Sequence, residues 1–106
     1  MIVVTSESIA GKKVVATLGL VRGNTIRARH IGKDIMAGLR ALVGGEIYEY
    51  AKLIAEAREQ SLDRMIKHAE SLGANAIIAT RFTTSVMMGG AAELLAIGTA
   101  VVIEDT

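Results

Sequence analysis

The sequence has no cysteine and no proline, and its only aromatic residues are Phe82, Tyr48 and Tyr50. Without cysteine there are no disulfides, no thiolate metal sites and no cysteine nucleophile. Without proline the chain lacks rigid breakers, so its 11 glycines must supply the punctuation. So few aromatics give no stacking platform of the kind that single-strand nucleic-acid binders use. Charge of one sign is missing too: 12 basic residues stand against 11 acidic ones, for a formal net charge of +1. That balance removes the electrostatic case for nucleic acid or an anionic membrane as main partner.

What is present is aliphatic. Hydrophobic residues make up 51% of the chain, most of them Ala, Val, Ile and Leu. At 106 residues the chain fits one domain, spanning 1–106. Such a domain has more apolar surface than one modest core needs, which points to buried subunit interfaces and a homo-oligomer. The start, Met1 to Glu7, lacks a basic region followed by a long apolar core, so no secretory signal is expected. Val86 to Ile103 is a long apolar stretch with Glu93 near its middle. A carboxylate at mid-bilayer costs roughly 2.5–3.5 kcal/mol, and Gly89-Gly90 with a β-branched tail suits a turn and strand better than a lipid helix. No membrane span and a cytoplasmic location are expected.

Along the chain the N-terminal third reads as strands. Val14 to Val21 is apolar and β-branched, Gly23-Asn24 is a tight-turn pair, and Thr25 to Arg29 starts a second, alternating strand. A short helix is expected from about Lys33 to Val43, ended by Gly44-Gly45. A long helix follows from about Ile47 to Leu72. Its apolar stripe is Ile47, Ala51 (or Tyr50), Ile54, Leu62, Met65, Ala69 and Leu72, and Gly73 closes it. Lys52, Glu56, Glu59, Asp63, Lys67 and Glu70 form the opposite, solvated face, with Asp63 and Lys67 spaced as an i,i+4 pair. Ala76 to Thr84 passes from a continuous apolar run into alternation. Leu94 to Ile103 forms a final strand interrupted at Gly98-Thr99, and Ile2-Val3-Val4 can add a small extra one. The fold class is α+β: a mainly antiparallel sheet packed on one long helix, plus a short helix.

Four segments and one tyrosine, taken in order, carry a resemblance. They are Gly38-Leu39-Arg40-Ala41-Leu42-Val43-Gly44-Gly45 with Tyr50, Ala57-Arg58-Glu59, Leu72-Gly73-Ala74-Asn75-Ala76-Ile77, and Gly98-Thr99-Ala100-Val101. Together with Asp34 and the Gly19 to Gly23 segment, this order and spacing resembles the YbjQ-like family, over essentially the whole chain. That family is catalogued as a heavy-metal-binding domain of unknown function. The resemblance implies a dodecin-like subunit assembled as a ring, usually a homopentamer, and implies no reaction. Two positions depart from the pattern. Ile97 stands where family members often carry Tyr. Thr83-Thr84 stands where an acidic residue is common, which removes an oxygen ligand.

The family description makes a divalent metal ion the first cofactor to consider. His30 and Asp34 flank the start of the short helix and offer one coordination corner. A zinc site needs four ligands, or three plus water, so one subunit is insufficient, whereas a ring repeats each residue about its axis. The bland alternative places His30 on a polar surface and His68 on the solvent edge of the long helix. Met87-Met88 beside Gly89-Gly90 offers thioethers to a soft ion, but reads more simply as apolar filler. No serine has a nucleophile context, and neither Gly11-Lys12 nor Gly32-Lys33 completes a phosphate loop, so an enzyme is not expected. Arg40, Tyr50, Arg58 and Glu59, all within the family-like segments, are candidates for a small anion or for a subunit interface. Gly38, Gly44, Gly45, Gly73 and Gly98 serve backbone geometry and close packing. The function expected is a ring-forming binding or structural module, with interfaces at strand edges and small-residue segments such as that around Ala100. The alternative is metal binding at sites repeated around the ring.

Overall fold

A computed structural model describes residues 1–28, 45–86 and 91–106. The elements run β1 (Ile2–Val3), β2 (Lys12–Ala28), α1 (Gly45–Ser71), β3 (Ala76–Val86) and β4 (Ala91–Asp105). They make a four-stranded mixed sheet in the order β1-β3-β4-β2, with β1 parallel to β3 and the other pairings antiparallel. The α+β class and the long helix follow the sequence pattern. The expected short helix at 33–43 lies outside the described residues.

Two expected breaks in the strands are absent, for one physical reason. Gly23-Asn24 is not a turn: β2 runs unbroken through it and pairs with β4 from Lys12↔Asp105 to Ala28↔Ala91. A Cβ at Gly23 would lie 2.8 Å from Arg64 Cβ and closer still to the Ser61 carbonyl oxygen and the Met65 nitrogen. Glycine is there because α1 crosses the strand at that point, with backbone nearly on backbone. Gly98 likewise does not interrupt β4. A Cβ there would sit 2.6 Å from Ile77 Cγ2 and 3.2 Å from both the Ile78 carbonyl oxygen and Thr80 Oγ1.

The helix ends as its sequence indicates. Gly73 takes φ +88, its N–H donates to Glu70 O at 3.0 Å, and the Ala74 N–H donates to Ala69 O at 3.1 Å. This is the paired-bond C-terminal cap that only a left-handed residue closes without strain. The apolar stripe is shifted from the expected one. Ala57, Ser61, Met65 and Ala69 form the fully buried row, Ile54, Leu62 and Ile66 are half-buried, and Ala51 and Leu72 are exposed. An i,i+4 row is a ridge inclined to the helix axis, so the ends of a stripe drawn parallel to the axis leave the contact. Three of the four buried residues are small, which lets α1 lie close to the sheet.

The main core joins Met65 and Ala69 of α1 to Val21, Ile77, Ala96 and Ala100, with Val3, Leu18, Leu62, Ile66 and Ala74 around it. A second patch holds Ala57, Ala92 and Leu94 against Ile54. Ala100 and Val101 are consecutive on β4 and so face opposite sides. A third cluster, Ala76, Val101 and Ile103 with Ile9 and Ile78, therefore lies on the sheet face away from α1. Asn75 ties that end together: its Oδ1 accepts from the Ile103 N–H at 2.8 Å and its Nδ2 donates to Ile103 O at 3.0 Å.

The change from a continuous apolar run to alternation within β3 has a structural counterpart. Register with β4 shifts between Ile78 and Arg81, where Ala79 takes φ 56 and donates its N–H to Ser6 O at 2.8 Å. The bulge re-aims the strand, so residues before and after it meet different neighbours.

Candidate functional site

Two surfaces carry unspent chemistry: the sheet face turned away from α1, and the outer edge of β2. On β2, Val21, Gly23 and Thr25 are buried, while Leu20, Arg22, Asn24 and Ile26 are exposed. Register gives the rows of that open face. Leu20, Thr99 and Ile78 share one row, then Arg22, Ile97 and Arg81, then Asn24, Leu95 and Thr83, then Ile26, Glu93 and Ser85. Leu20 is 62% exposed and Ile26 60%, both on β2 at the two ends of these rows, beside the central strand β4, where Ile97 and Leu95 are half-buried. In the two middle rows the apolar Ile97 and Leu95 are thus flanked by polar side chains on both neighbouring strands. Arg81 is held down, with Nη1 donating to Thr5 O at 2.7 Å and to Thr80 O at 2.8 Å.

At the β2 edge, α1 takes the place of a neighbouring strand. Arg64 Nη1 donates to Asn24 O at 2.7 Å, and the Arg22 N–H donates to His68 Nδ1 at 3.3 Å. Ser61, one turn before Arg64, sends its hydroxyl to Leu94 O at 3.1 Å inside the core. Covering an edge with a helix is a recognised way to block unwanted strand pairing. Over Arg22 to Asn24 one outward N–H and one outward carbonyl of this edge are thus bonded to α1 side chains. Ala100 is corrected: it is fully buried under α1, in a strand paired on both sides, and presents no edge or interface.

The expected site residues fare unevenly. His30, Asp34, Gly38, Arg40 and Gly44 lie outside the described residues. Gly45 begins α1 and Tyr50 lies within it. Arg58 and Glu59 are exposed on α1, away from its buried row. His68 is exposed, as the bland reading had it, but it is also a hydrogen-bond acceptor for the edge strand. Sequence reasoning did not single out Arg64, and weighed His68 only as a surface histidine. Their i,i+4 spacing beside the row Ser61, Met65 and Ala69 was the available signal, and it gains meaning only once Gly23 is known to lie beneath them. Asp63 and Lys67 pair at 3.2 Å as expected. Lys12 bonds Asp105 where β2 and β4 meet, and that hydrogen bond, reinforced by the positive charge, holds the Asp105 carboxyl below the usual carboxylate range. Among the described residues no three of His, Cys, Asp and Glu come together as metal ligands. Nor is any helix there long and apolar enough to cross a membrane.

Among the described residues the fold is α+β, one long helix packed on one face of a four-stranded mixed sheet. Residues 1–104 match the family described as "Putative heavy-metal-binding", and the chain belongs to that family. A UPF0145 protein of Methanosarcina acetivorans is 56% identical over 97% of each chain. A UPF0145 protein of Archaeoglobus fulgidus is 55% identical over 95% of this chain and 94% of its own length. A crystal structure of a DUF74-family protein of unknown function from Pediococcus pentosaceus superposes with a TM-score of 0.61, covering 98% of both chains at 17% identity. That likeness speaks for the fold alone.

Proposed function

We propose that this chain is the subunit of a homopentameric ring, a binding or structural module of the cytoplasm, closed by packing the open sheet face of one copy against the next. The observation that carries this reading is the apolar surface on that face, where Leu20 and Ile26 of β2 are more than half exposed beside Ile97 and Leu95 of β4. A second copy is the fitting occupant, because this surface is framed by Arg22, Asn24, Thr83 and Ser85, a polar rim around an apolar centre. No reaction is assigned to the chain.

Native mass spectrometry of the metal-free protein tests this, with a closed species near five times the 11.2 kDa subunit mass expected. Ile26→Glu and Leu20→Glu should dissociate it while leaving the circular dichroism of the subunit intact, since both positions are exposed in the single chain. A ring that survives both substitutions would show that this face is not the interface. A wild-type monomer would overturn the assembly itself.

The family's description favours a second reading, a heavy-metal-ion binding protein with sites repeated around the ring. The described residues do not fit a metal centre by themselves, so His30 and Asp34 are the donors to test. His30→Ala should preserve the assembly and abolish stoichiometric uptake of zinc, copper or nickel. Uptake unchanged by that substitution would sink the site.

A further inference from the structure

The outer edge of β3 beyond its bulge has neither helix nor strand beside it among the described residues, because β1 pairs only with Ala76 and Ile77. Pairing shows which of its groups point outward. In an antiparallel pair, residues that exchange hydrogen bonds alternate with residues that do not. Arg22 turns its N–H out from β2 to His68, so its partner Ile97 turns the other way, toward β3, and bonds Arg81. Phe82 and Thr84 therefore point outward, and Arg81 and Thr83 inward. Neither Phe82 nor Thr84 has a backbone partner on the outer side among the described residues. Over residues 82–85 this edge is aromatic, β-branched and hydroxylic, with no charge, proline or glycine to discourage pairing.

The edge is closed at one end. The outward N–H of Thr80 donates to Val4 O at 3.0 Å, and the Thr80 carbonyl accepts from Arg81 Nη1 at 2.8 Å. The same Nη1 donates to Thr5 O at 2.7 Å. A strand added antiparallel to residues 82–85 runs toward this end and stops there, because the N-terminal segment occupies the next place. Arg81 stands at the stop. Both Nη1 hydrogens are used, while those on Nε and Nη2 remain, and these form the side-on fork that takes both oxygens of a carboxylate. No carboxylate pairs with Arg81 among the described residues. Beside the edge, Phe82 is 41% exposed on the face that α1 shares, in register with the buried Ala96.

We propose that the outer edge of β3 is a docking site for the free C-terminus of an extended peptide. The peptide adds as a strand antiparallel to residues 82–85, sets an apolar side chain beside Phe82 and places its terminal carboxylate on the Arg81 fork. Backbone pairing supplies the contact, and the carboxylate sets direction and register. The edge is not the open face, so the site is independent of the ring.

The peptide acetyl-Lys-Thr-Val-Thr-Val-Thr with a free C-terminal carboxylate, and the same peptide as its C-terminal amide, test this on the intact protein. With the acid peptide at about ten times its Kd, amide hydrogen exchange should slow about tenfold at Phe82 and Thr84. Exchange at Thr83, whose N–H already faces β4, should not change. The amide peptide should bind about tenfold more weakly, the worth of a charge-assisted hydrogen bond. Arg81→Gln should erase the difference between the two peptides. Thr84→Pro removes an outward N–H where an edge strand tolerates proline, and should weaken both peptides about fivefold with the circular dichroism unchanged. Phe82 and Thr84 amides indifferent to millimolar peptide, or acid and amide peptides of equal affinity, overturn the proposal. So does slow exchange at both amides before peptide is added, since the edge would then already be covered, by this chain or by a second copy.

Discussion

Replacing Gly23 by alanine separates two accounts of one glycine. In a tight turn, glycine is used for positive φ, and a side chain there costs roughly 1 kcal/mol in strain. Gly23 is not among the residues with positive φ, and its cost must come from collision. Two of the three atoms its Cβ would meet belong to the α1 backbone, at Ser61 and Met65, and the third is Arg64 Cβ. None is the end of a flexible side chain, so either the helix moves off the strand or β2 bends. Moving the helix would loosen Val21 and Met65, both fully buried in the main core. Overpacking in a well-packed core costs typically 1–3 kcal/mol, and backbone atoms on both sides place this site at about 3 kcal/mol. For a domain of this size that lowers Tm by roughly 12–20 °C. Urea unfolding followed by circular dichroism at one fixed protein concentration measures it, since assembly makes stability concentration-dependent. Gly11→Ala is the reference, with positive φ and open space around its Cβ, expected to cost about 1 kcal/mol. If Gly23→Ala cost no more than Gly11→Ala, the crossing of α1 over β2 would be refuted.

Two further outcomes follow from the same packing. Gly98→Ala should cost about 1–2 kcal/mol, because its nearest obstacle is the Ile77 Cγ2 methyl. Combined with Ile77→Ala, which removes that methyl, the loss in urea unfolding should be less than the sum of the two single losses; strict additivity would contradict the contact. Ala79→Gly should stabilise the chain by up to about 1 kcal/mol, since φ 56 is strained for alanine and free for glycine. A loss of midpoint there would mean that the bulge is not held at positive φ.

The long helix and its end were legible because the physics is local. The charged face of Lys52, Glu56, Glu59, Asp63, Lys67 and Glu70, and the glycine at 73, depend on spacing within the helix and on one left-handed residue. Where the sequence misled, the residue was glycine and the reason was distant. Gly23-Asn24 has turn chemistry, but the steric demand on Gly23 comes from residues 61–65. Gly98 looked like a break, but it makes room for Ile77 in the neighbouring strand. Ala100 looked like interface padding, and its burial depends on which face of β4 the helix covers.

By itself the sequence determined the α+β class, the family and the amphipathic helix, because composition, period and motif order are properties of the chain. Tertiary structure alone decided which sheet face is open, since alternation gives two faces and does not say which one the helix takes. It also decided that Arg64 and His68 guard Arg22 and Asn24. A hydrogen bond between residues 46 positions apart has no local signature; it exists only because Gly23 allows a helix to lie against a strand edge.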